Sequence, residues 1–298
     1  MELRELETFR AVVDSGGMSH AAARLNRAQS SVTARIRQLE SSLGVPLFER
    51  DGRRLRLTAA GDVLVGYTDR LLDLASEARA AVRRDSVCGR LRLGTMESVA
   101  ATRLPEPLAA FHRRYPDVSV ELQTAHSRDL QRQLQAGALD VAIFSGEVDG
   151  ERFVSQPWYA EELVAVTAAG ESLRDAKRLA GGTVLVFRGN GCAYRRRFEE
   201  WLQSLRVVPA RILEFASYHA LLAAAAAGVG CCVVPRAVLD IYPQRDAVSV
   251  HKLPARIARV RTAVVTPRGR HLPALTRLVD CLRDDCASAR KPTRKERA

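Results

Sequence analysis

Residues 18–61 read M-S-H-A-A-A-R-L-N-R-A-Q-S-S-V-T-A-R-I-R-Q-L-E-S-S-L-G-V-P-L-F-E-R-D-G-R-R-L-R-L-T-A-A-G, and this stretch decides the fold of the amino-terminal segment. Small residues at 21–25 predict a short helix that packs closely against a neighbour. After a tight connection, apolar residues recur at three- and four-residue steps and predict a longer helix. The positions of that apolar stripe are Val32, Ile36, Leu39 and Leu43. Residues 3–13 show the same spacing, so we expect three packed helices.

The opposite face of the longer helix carries small polar side chains and one arginine, a composition that fits the major groove of duplex DNA. A helix-turn-helix that begins at Met18 and ends at Arg37 would present this face to the bases. The residues that we expect at the groove are Gln29, Ser30, Thr33 and Arg37. The spacing also allows the alternative of three packed helices with a merely solvated face.

A hairpin is predicted after the helices, because Asp51-Gly52 is a turn signal between two short apolar stretches. The arginines that crowd this turn are Arg50, Arg53, Arg54 and Arg56. Guanidinium groups so close together repel one another unless anions lie between them, and contact with DNA phosphates releases counterions. The hairpin is therefore predicted to be a wing that supplies affinity, while the longer helix supplies sequence preference.

This segment resembles the LysR-type transcriptional regulators. The motifs that it shares with them are A-A-x-x-L at residues 21–25, G-V-P-L-F-E-R at 44–50 and L-T-A-A-G at 57–61. Residues 28–40 carry the family's S-Q-P-A-V-S-x-x-I-x-x-L-E pattern in altered form, with Ala28 in place of the serine that caps the helix. We expect Ser30 to supply the cap by starting the helix later, and Ser19 to cap the short helix before it.

Residues 59–88 are predicted to form one linker helix. Its apolar positions alternate steps of four and three residues, the spacing of a coiled-coil seam. These positions are Ala60, Leu64, Tyr67, Leu71, Leu74, Ala78 and Ala81. Such a seam needs an apolar partner, either the core of its own domain or a second copy of the chain. The resemblance implies the second: a homodimer through the linker helix, and a homotetramer of two dimers.

Strand and helix patterns alternate over residues 89–288 and predict two α/β lobes joined by crossing strands. We place the first lobe at 89–162 plus 267–288 and the second at 163–266. The region resembles the periplasmic-binding-protein-like effector domain of the LysR-type family, with G-A-L-D-V-A-I at 137–143.

The whole chain is thus predicted to be an α+β multidomain protein. A winged helix-turn-helix at 1–58 precedes the linker helix, the two-lobed effector domain follows it, and residues 289–298 form a basic disordered tail.

Ligands on open parallel sheets bind beyond the carboxyl ends of the strands, where helices begin. In the first lobe this rule selects Thr95, Met96, Glu97, Ser98, Thr124, His126, Ser127 and Ser145. In the second lobe it selects Gly191, Cys192, Tyr194, Arg195 and His219. The glycine-rich loop before residue 193 favours an anionic effector, because backbone N–H groups at a helix start attract anions. Buried, unreactive thiols are the expectation for the cysteines of a cytoplasmic protein, but the same helix start favours a thiolate at Cys192.

Two alternatives to this effector site stay open. Arg195 can pair with Glu199 one helical turn later instead of meeting a ligand. His126 and His219 can be ordinary surface histidines.

A formal net charge of +12 favours a polyanionic partner. Aromatic residues make up only 5% of the chain, which argues against single-strand stacking and for duplex DNA. No apolar run approaches the roughly 20 residues of a membrane span, and no secretion signal is recognised, so we expect a cytoplasmic protein that does not contact a membrane.

We expect no metal, no cofactor and no catalytic residues, because the six cysteines lack zinc-type spacing and no nucleophile or phosphate-loop motif occurs. The predicted function is that of a LysR-type regulator: it binds promoter DNA under the control of a small-molecule effector held between the lobes. RNA polymerase is a further partner that such a function implies. An enzyme that uses the two-lobed cleft as its active site is the alternative, and turnover of the bound effector would distinguish it.

Overall fold

The computed structural model of the chain describes residues 1–51, 54–82, 87–173, 179–189, 191–270 and 272–289. These residues divide into two compact units, with the boundary between Gly89 and Arg90. Of the tail predicted at 289–298, Ala289 is the last residue of a helix, and residues 290–298 lie outside the described residues. Residues 83–86 of the predicted linker lie outside them as well.

The amino-terminal unit contains three short-to-medium helices, a hairpin and a long helix. They are α1 (Leu3–Ser15), α2 (Met18–Arg24), α3 (Gln29–Leu43), β1 (Phe48–Asp51), β2 (Arg54–Leu57) and α4 (Ala59–Val82). The core consists of Leu6, Phe9, Ala11, Val12, Ala21, Ala22, Val32, Ile36, Leu39 and Leu47. Leu43, expected in the apolar stripe, lies in the last turn of α3 and is 37% exposed. The predicted winged helix-turn-helix with its following helix is confirmed.

Both predicted side-chain caps are wrong. Helix α2 begins at Met18, two residues earlier than a cap at Ser19 would allow, and its N-cap is Gly17. The Ser19 hydroxyl instead donates to Oε1 of Gln29 at 3.1 Å. Helix α3 begins directly after Ala28, which is its N-cap and has no side-chain acceptor, and Ser30 lies inside the helix. The first N–H groups of α3 are therefore left to solvent or to an anion.

The hairpin is held in place from both ends. Oε1 of Glu40 accepts the backbone N–H groups of Leu47 at 2.8 Å and Phe48 at 3.2 Å, which ties α3 to β1. The Thr58 hydroxyl accepts the N–H of Gly61 at 3.0 Å at the start of α4. A Cβ at Gly61 would lie 2.3 Å from the carbonyl oxygen of Leu47, so only glycine fits this crossing.

In the second unit, the described residues form a nine-stranded sheet in the order β4-β3-β5-β11-β6-β9-β7-β8, with β10 also paired to β6. The strands are β3 (Gly89–Thr95), β4 (Val118–Thr124), β5 (Val141–Phe144), β6 (Phe153–Ala168), β7 (Thr183–Phe187), β8 (Arg211–Phe215), β9 (Cys231–Pro235), β10 (Val248–Lys252) and β11 (Arg259–Pro267). The helices are α5 (Glu97–Thr102), α6 (Pro105–Arg114), α7 (Ser127–Gln135), α8 (Ala193–Ser204), α9 (Tyr218–Ala226), α10 (Arg236–Asp240), α11 (Ala255–Ala258) and α12 (Pro273–Ala289).

Strand β6 crosses between the two lobes. Its first part, up to Glu162, pairs with β11. Its last part, from Leu163 onwards, pairs with β9 and β10. The first lobe therefore holds β3, β4, β5, β11 and the beginning of β6, and the second lobe holds β7 to β10 and the end of β6.

The position of β11 differs from the sequence-based expectation, which placed residues 259–266 in the second lobe. The strand pairs with β5 of the first lobe, with Ala263 opposite Phe144. Its alternating pattern predicts a strand but contains no information about the neighbouring strand, since the pairing partner is set by long-range packing.

A buried carboxylate joins three parts of the first lobe. Asp140, in the G-A-L-D motif before β5, is 1% exposed. Its Oδ2 accepts the backbone N–H of Arg92 at 2.7 Å, and its Oδ1 lies 2.9 Å from Nη2 of the same arginine. The guanidinium of Arg270, which follows β11, also contacts Oδ1. The carboxylate is fully satisfied in a place where an unpaired charge would be costly.

Replacement of Asp140 is expected to destabilise the fold strongly. The Asp140→Ala variant removes the buried carboxylate that pairs with the buried guanidinium of Arg92, which should lower the free energy of unfolding by about 3–5 kcal/mol. Urea denaturation followed by circular dichroism measures this loss. Asp129→Ala, which removes an exposed pair with Arg132, is the control and should cost less than about 1 kcal/mol. Equal losses in the two variants would contradict this role of Asp140.

Candidate DNA-binding surface and effector cavity

The outer face of α3 carries the predicted base-reading residues. Gln29, Ser30 and Arg37 are exposed, and Thr33 is half-buried. Because Oε1 of Gln29 accepts from Ser19, the Nε2 group of Gln29 remains as a donor. The Thr33 hydroxyl donates to the carbonyl oxygen of Gln29 at 2.9 Å, which leaves its methyl group and a lone pair for other contacts. Arg37 makes no ion pair within the part of the chain that the structure describes.

The predicted wing is present as a hairpin. Strands β1 and β2 are antiparallel, with Asp51 opposite Arg54 and Glu49 opposite Arg56. Arg56 is exposed. Arg53 and the side chains of Arg50 and Arg54 lie outside the described residues, so the cluster of four guanidinium groups stays a prediction.

A cavity of about 180 Å³ lies in the second unit where four strands end. The residues of the first lobe that line it are Met96, Glu97, Ser98, Thr124, Ala125, His126 and Ser127. Those of the second lobe are Phe187, Arg188, Cys192, Tyr194, Ala216 and Tyr218. We call this space the first cavity. Eight of the residues that the strand-end rule predicted line this cavity: Met96, Glu97, Ser98, Thr124, His126, Ser127, Cys192 and Tyr194.

Four of the other predicted residues are engaged elsewhere. Thr95 is buried and donates to the carbonyl oxygen of Ile143. Ser145 lies 2.8 Å from the hydroxyl of Thr262. His219 packs edge-on against Tyr242. The four predicted residues that do not line the first cavity and have other contacts are Thr95, Ser145, Arg195 and His219.

Arg195 follows the alternative that the sequence left open. Its Nε lies 2.8 Å from Oε1 of Glu199, and its Nη1 lies 2.6 Å from Oε1 of Glu214. The arginine is therefore held by two carboxylates outside the lining of the first cavity. Gly191 is not in that lining either, but a Cβ there would lie 3.4 Å from Cβ of His126, so the residue borders it.

One wall of the first cavity is aromatic; the strand-end rule selects residues 217–219, which include Tyr218, but it does not select Phe187. The rings of Phe187 and Tyr218 lie 4.6 Å apart, and His126 meets Phe187 edge-on at 5.7 Å. Arg188 follows Phe187 directly and also lines the cavity. Phe187 is the last residue of β7 and Tyr218 the first of α9, and the apolar ring of Phe187 gave no polar signal.

Three buried polar side-chain atoms at the first cavity lack a well-aligned hydrogen-bond partner in the part of the chain that the structure describes. The hydroxyls of Ser98 and Tyr194 and Oε2 of Glu97 make no well-aligned hydrogen bond within the described residues, although the Tyr194 hydroxyl lies near enough to those of Ser98 and Thr262 to interact with them. Ser98 and Tyr194 are each only 2% exposed. Buried polar groups in native proteins are normally hydrogen-bonded, so these atoms offer their hydrogen bonds to a molecule in the first cavity.

The electrostatics of the cavity disfavour negative charge on its own side chains. Burial raises the pKa of Glu97 above its usual value, and the backbone N–H of Tyr218 and the charge of His219 offset this only in part. Burial likewise raises the pKa of the Cys192 thiol, against the opposing effect of backbone N–H groups at the start of α8. The expected thiolate at Cys192 is therefore wrong, because desolvation outweighs the helix start.

The fold and these two sites define a class of protein, a DNA-binding regulator with a separate ligand-sensing domain. Residues 3–62 match the family described as "Bacterial regulatory helix-turn-helix protein, lysR family", and residues 84–287 match the LysR substrate binding domain. The chain belongs to the LysR family: it is a LysR-type transcriptional regulator with a helix-turn-helix DNA-binding domain and an effector-binding domain. The resemblance seen in the sequence is confirmed.

Relatives and solved structures agree with this assignment. The HTH-type transcriptional regulator GltR of Bacillus subtilis (strain 168) is 32% identical over 290 residues, which cover 95% of this chain and 97% of that protein. The regulator YofA of the same strain is 33% identical over 85% of this chain and 88% of that protein.

Among solved structures, full-length CbnR in complex with its target DNA is 27% identical, with a TM-score of 0.68 over 96% of this chain and 100% of that one. A full-length variant of OxyR from Pseudomonas aeruginosa shares the fold, with a TM-score of 0.73 at 21% identity over 96% of this chain and 94% of that one. No helix among the described residues has the length and apolar character needed to cross a membrane.

The raised pKa of Glu97 predicts a pH-dependent stability difference. The folded state favours the neutral carboxyl, so its contribution to stability is present below the ordinary value of 4.5 and is lost as the pH rises through the folded pKa. Glu97→Gln keeps an acceptor for the N–H of Tyr218 but cannot ionise. We expect this variant to match the wild type near pH 4 and to unfold at a higher temperature at pH 7.

Thermal unfolding measured between about pH 4 and pH 8 checks this expectation. The control Glu106→Gln removes an exposed carboxylate from α6 and should produce no comparable gain. A stability difference for Glu97→Gln that is the same at every pH would contradict the role of desolvation.

Proposed function

We propose that this regulator binds promoter DNA as a homodimer, with one α3 helix in each of two major grooves, and that a small organic acid in the first cavity controls this binding. The observation that carries the proposal is the pair of features in one chain: an exposed polar face on α3, and a cavity between two lobes that is lined by buried hydroxyls without well-aligned hydrogen bonds to the described residues. We place the protein in the cytoplasm, where bacterial promoters are.

The chemistry of α3 supports base reading. The free Nε2 group of Gln29 can donate to acceptors on purine edges, and Arg37 can reach guanine. The methyl group of Thr33 suits an apolar contact with thymine. The uncapped N–H groups at the start of α3 can bind a backbone phosphate. The complex of the relative CbnR with its target DNA is in line with such docking.

The wing and α3 are expected to play separable roles. Arg53→Ala with Arg54→Ala should weaken binding to every duplex and flatten the salt dependence of log K by about one to two units, because phosphate contacts are lost. Thr33→Ala or Arg37→Ala should chiefly relax preference, with a loss of about 1–3 kcal/mol of discrimination. Fluorescence anisotropy at several salt concentrations, on a footprinted duplex from upstream of the gene and on a scrambled duplex, measures both effects.

The matched control for the wing variant is Arg113→Ala with Arg211→Ala, which removes the same charge from exposed positions in the second unit. This control should leave the salt slope unchanged. An unaltered slope in the wing variant would overturn the wing assignment.

The exposed face of α4 supports dimerisation. Leu64 and Leu71 of the predicted seam pack against the core of their own unit. Tyr67 and Leu74 are 57% and 59% exposed, and Val63, one turn before Tyr67, is 64% exposed. Some positions of the seam therefore pack against their own unit, whereas others are exposed and available to a second copy of the chain. A second copy with the same stripe would bury the exposed apolar side chains in a coiled coil. A homotetramer and contact with RNA polymerase are proposals that rest on the family alone.

The first cavity fits an effector with an acidic end. Helices α7 and α8 begin at it with His126 and Cys192 as N-caps that form no side-chain cap, so backbone N–H groups are available to an anion. The hydroxyls of Ser98 and Tyr194 are further donors. The rings of Phe187 and Tyr218 suit a flat or aliphatic body.

Loss of the two buried hydroxyls should abolish the effector response. Ser98→Ala with Tyr194→Phe removes two donors and keeps the shape, so the affinity for the effector should fall by a factor of about ten or more. A panel of small organic acids is screened by thermal shift, and the best binder is measured by calorimetry and by footprinting with and without it. Recovery of the acid unchanged would separate regulation from the enzyme alternative.

Arg195→Gln is the control for this experiment. Because Arg195 pairs with Glu199 and Glu214 outside the cavity lining, its loss should leave effector affinity within about twofold. Loss of binding in Arg195→Gln together with retention in the double variant would contradict the proposed site.

A further inference from the structure

A second cavity of about 530 Å³ lies in the effector domain, and arginines dominate its lining. The first lobe contributes Ser145 and its neighbours at the end of β5, together with residues 259–261 at the start of β11. The second lobe contributes Arg196, Arg197 and Glu200 of α8. Like the first cavity, this one is therefore built from both lobes.

Local structure turns the arginines toward this space. Arg259 and Arg261 are exposed on β11 and alternate with the buried Val260 and Thr262, so both project from the same face of the strand. Arg196 is exposed in the first turn of α8. The hydroxyls of Ser145 and Thr262 form a hydrogen bond beside these groups.

The charges of the second cavity are not balanced. Nη1 of Arg197 lies 3.1 Å from Oε2 of Glu200, which neutralises one arginine. The guanidinium groups of Arg196, Arg259 and Arg261 make no ion pair or hydrogen bond with any residue that the structure describes. Glu147 is the single remaining carboxylate in the lining. Three guanidinium groups that share one concave space repel each other, and an anion with several oxygens would relieve this repulsion.

We propose that the second cavity binds a small polyanion, a compound that presents phosphate groups or two to three carboxylates. Its chemistry differs from that of the first cavity, where buried hydroxyls and backbone N–H groups at helix starts are the available donors. Helix α8 connects the two: Cys192 and Tyr194 at its start line the first cavity, and Arg196 and Arg197 line the second. A bound polyanion therefore bridges the two lobes and fixes the helix that the effector also contacts.

Calorimetry on the full-length protein tests this site, with pyrophosphate and citrate as probes at an ionic strength held constant with chloride. We expect one saturable site per chain for at least one probe. Arg259→Gln with Arg261→Gln should weaken this binding at least about tenfold, since two charge-assisted contacts are lost. Arg113→Gln with Arg211→Gln, which removes the same charge elsewhere, should leave the affinity within about twofold.

Two further variants distinguish loss of this site from misfolding and from loss of the effector site. Arg196→Gln changes one exposed residue, so it can be measured even if the double variant fails to fold. It should also weaken polyanion binding. Ser98→Ala with Tyr194→Phe should retain polyanion binding, so that failure of the effector site and failure of this site are distinguishable.

Three results would overturn the proposal: no saturable binding of either probe, an equal loss in the Arg113 and Arg211 control, or a loss in the Ser98 and Tyr194 variant. Binding of an acidic peptide without binding of either small anion would also overturn it, in favour of a protein partner.

Discussion

The backbone hydrogen bonding of β6 is the constraint on which the effector domain depends. This one strand gives its first residues to β11 and its last residues to β9 and β10, so both lobes share a continuous polypeptide ribbon. The exchange of partners falls between Glu162 and Leu163. At this point Oε2 of Glu162 lies 2.5 Å from Nε of Arg236 in α10, and this ion pair lowers the pKa of the Glu162 carboxyl. Any change in the angle between the lobes must be accommodated at this crossing.

The two cavities differ in chemistry because their walls differ in burial. In the first, side chains are desolvated, so the pKa of Glu97 rises and hydroxyls dominate the available hydrogen bonds. In the second, arginines, most of them exposed, outnumber the carboxylates of the lining. One helix, α8, contributes to both walls. An effector and a polyanion would thus act on the same element from two sides, which is a simple physical basis for coupling between ligands.

In the amino-terminal unit, contacts within the unit position α3, the hairpin and α4. The carboxylate of Glu40 ties α3 to the hairpin, and the glycine at 61 lets α4 start against the carbonyl of Leu47. Because Leu64 and Leu71 of α4 rest on the same core as α3, the long helix is an integral part of its unit. In the proposed dimer, the pairing of α4 would then set the separation of the two reading helices.

The sequence by itself determined the helices of the head, the hairpin, the long helix and the strand ends that line the first cavity, because periodicity, turn residues and strand ends are local signals. The pairing of β11 with β5, the capture of Arg195 by Glu214 and the capping of α3 at Ala28 were decided by tertiary structure. The same holds for Cys192, whose thiol is kept neutral by surroundings drawn from distant parts of the chain. Partners far apart in sequence, and the desolvation that they impose, exist only once the chain has packed.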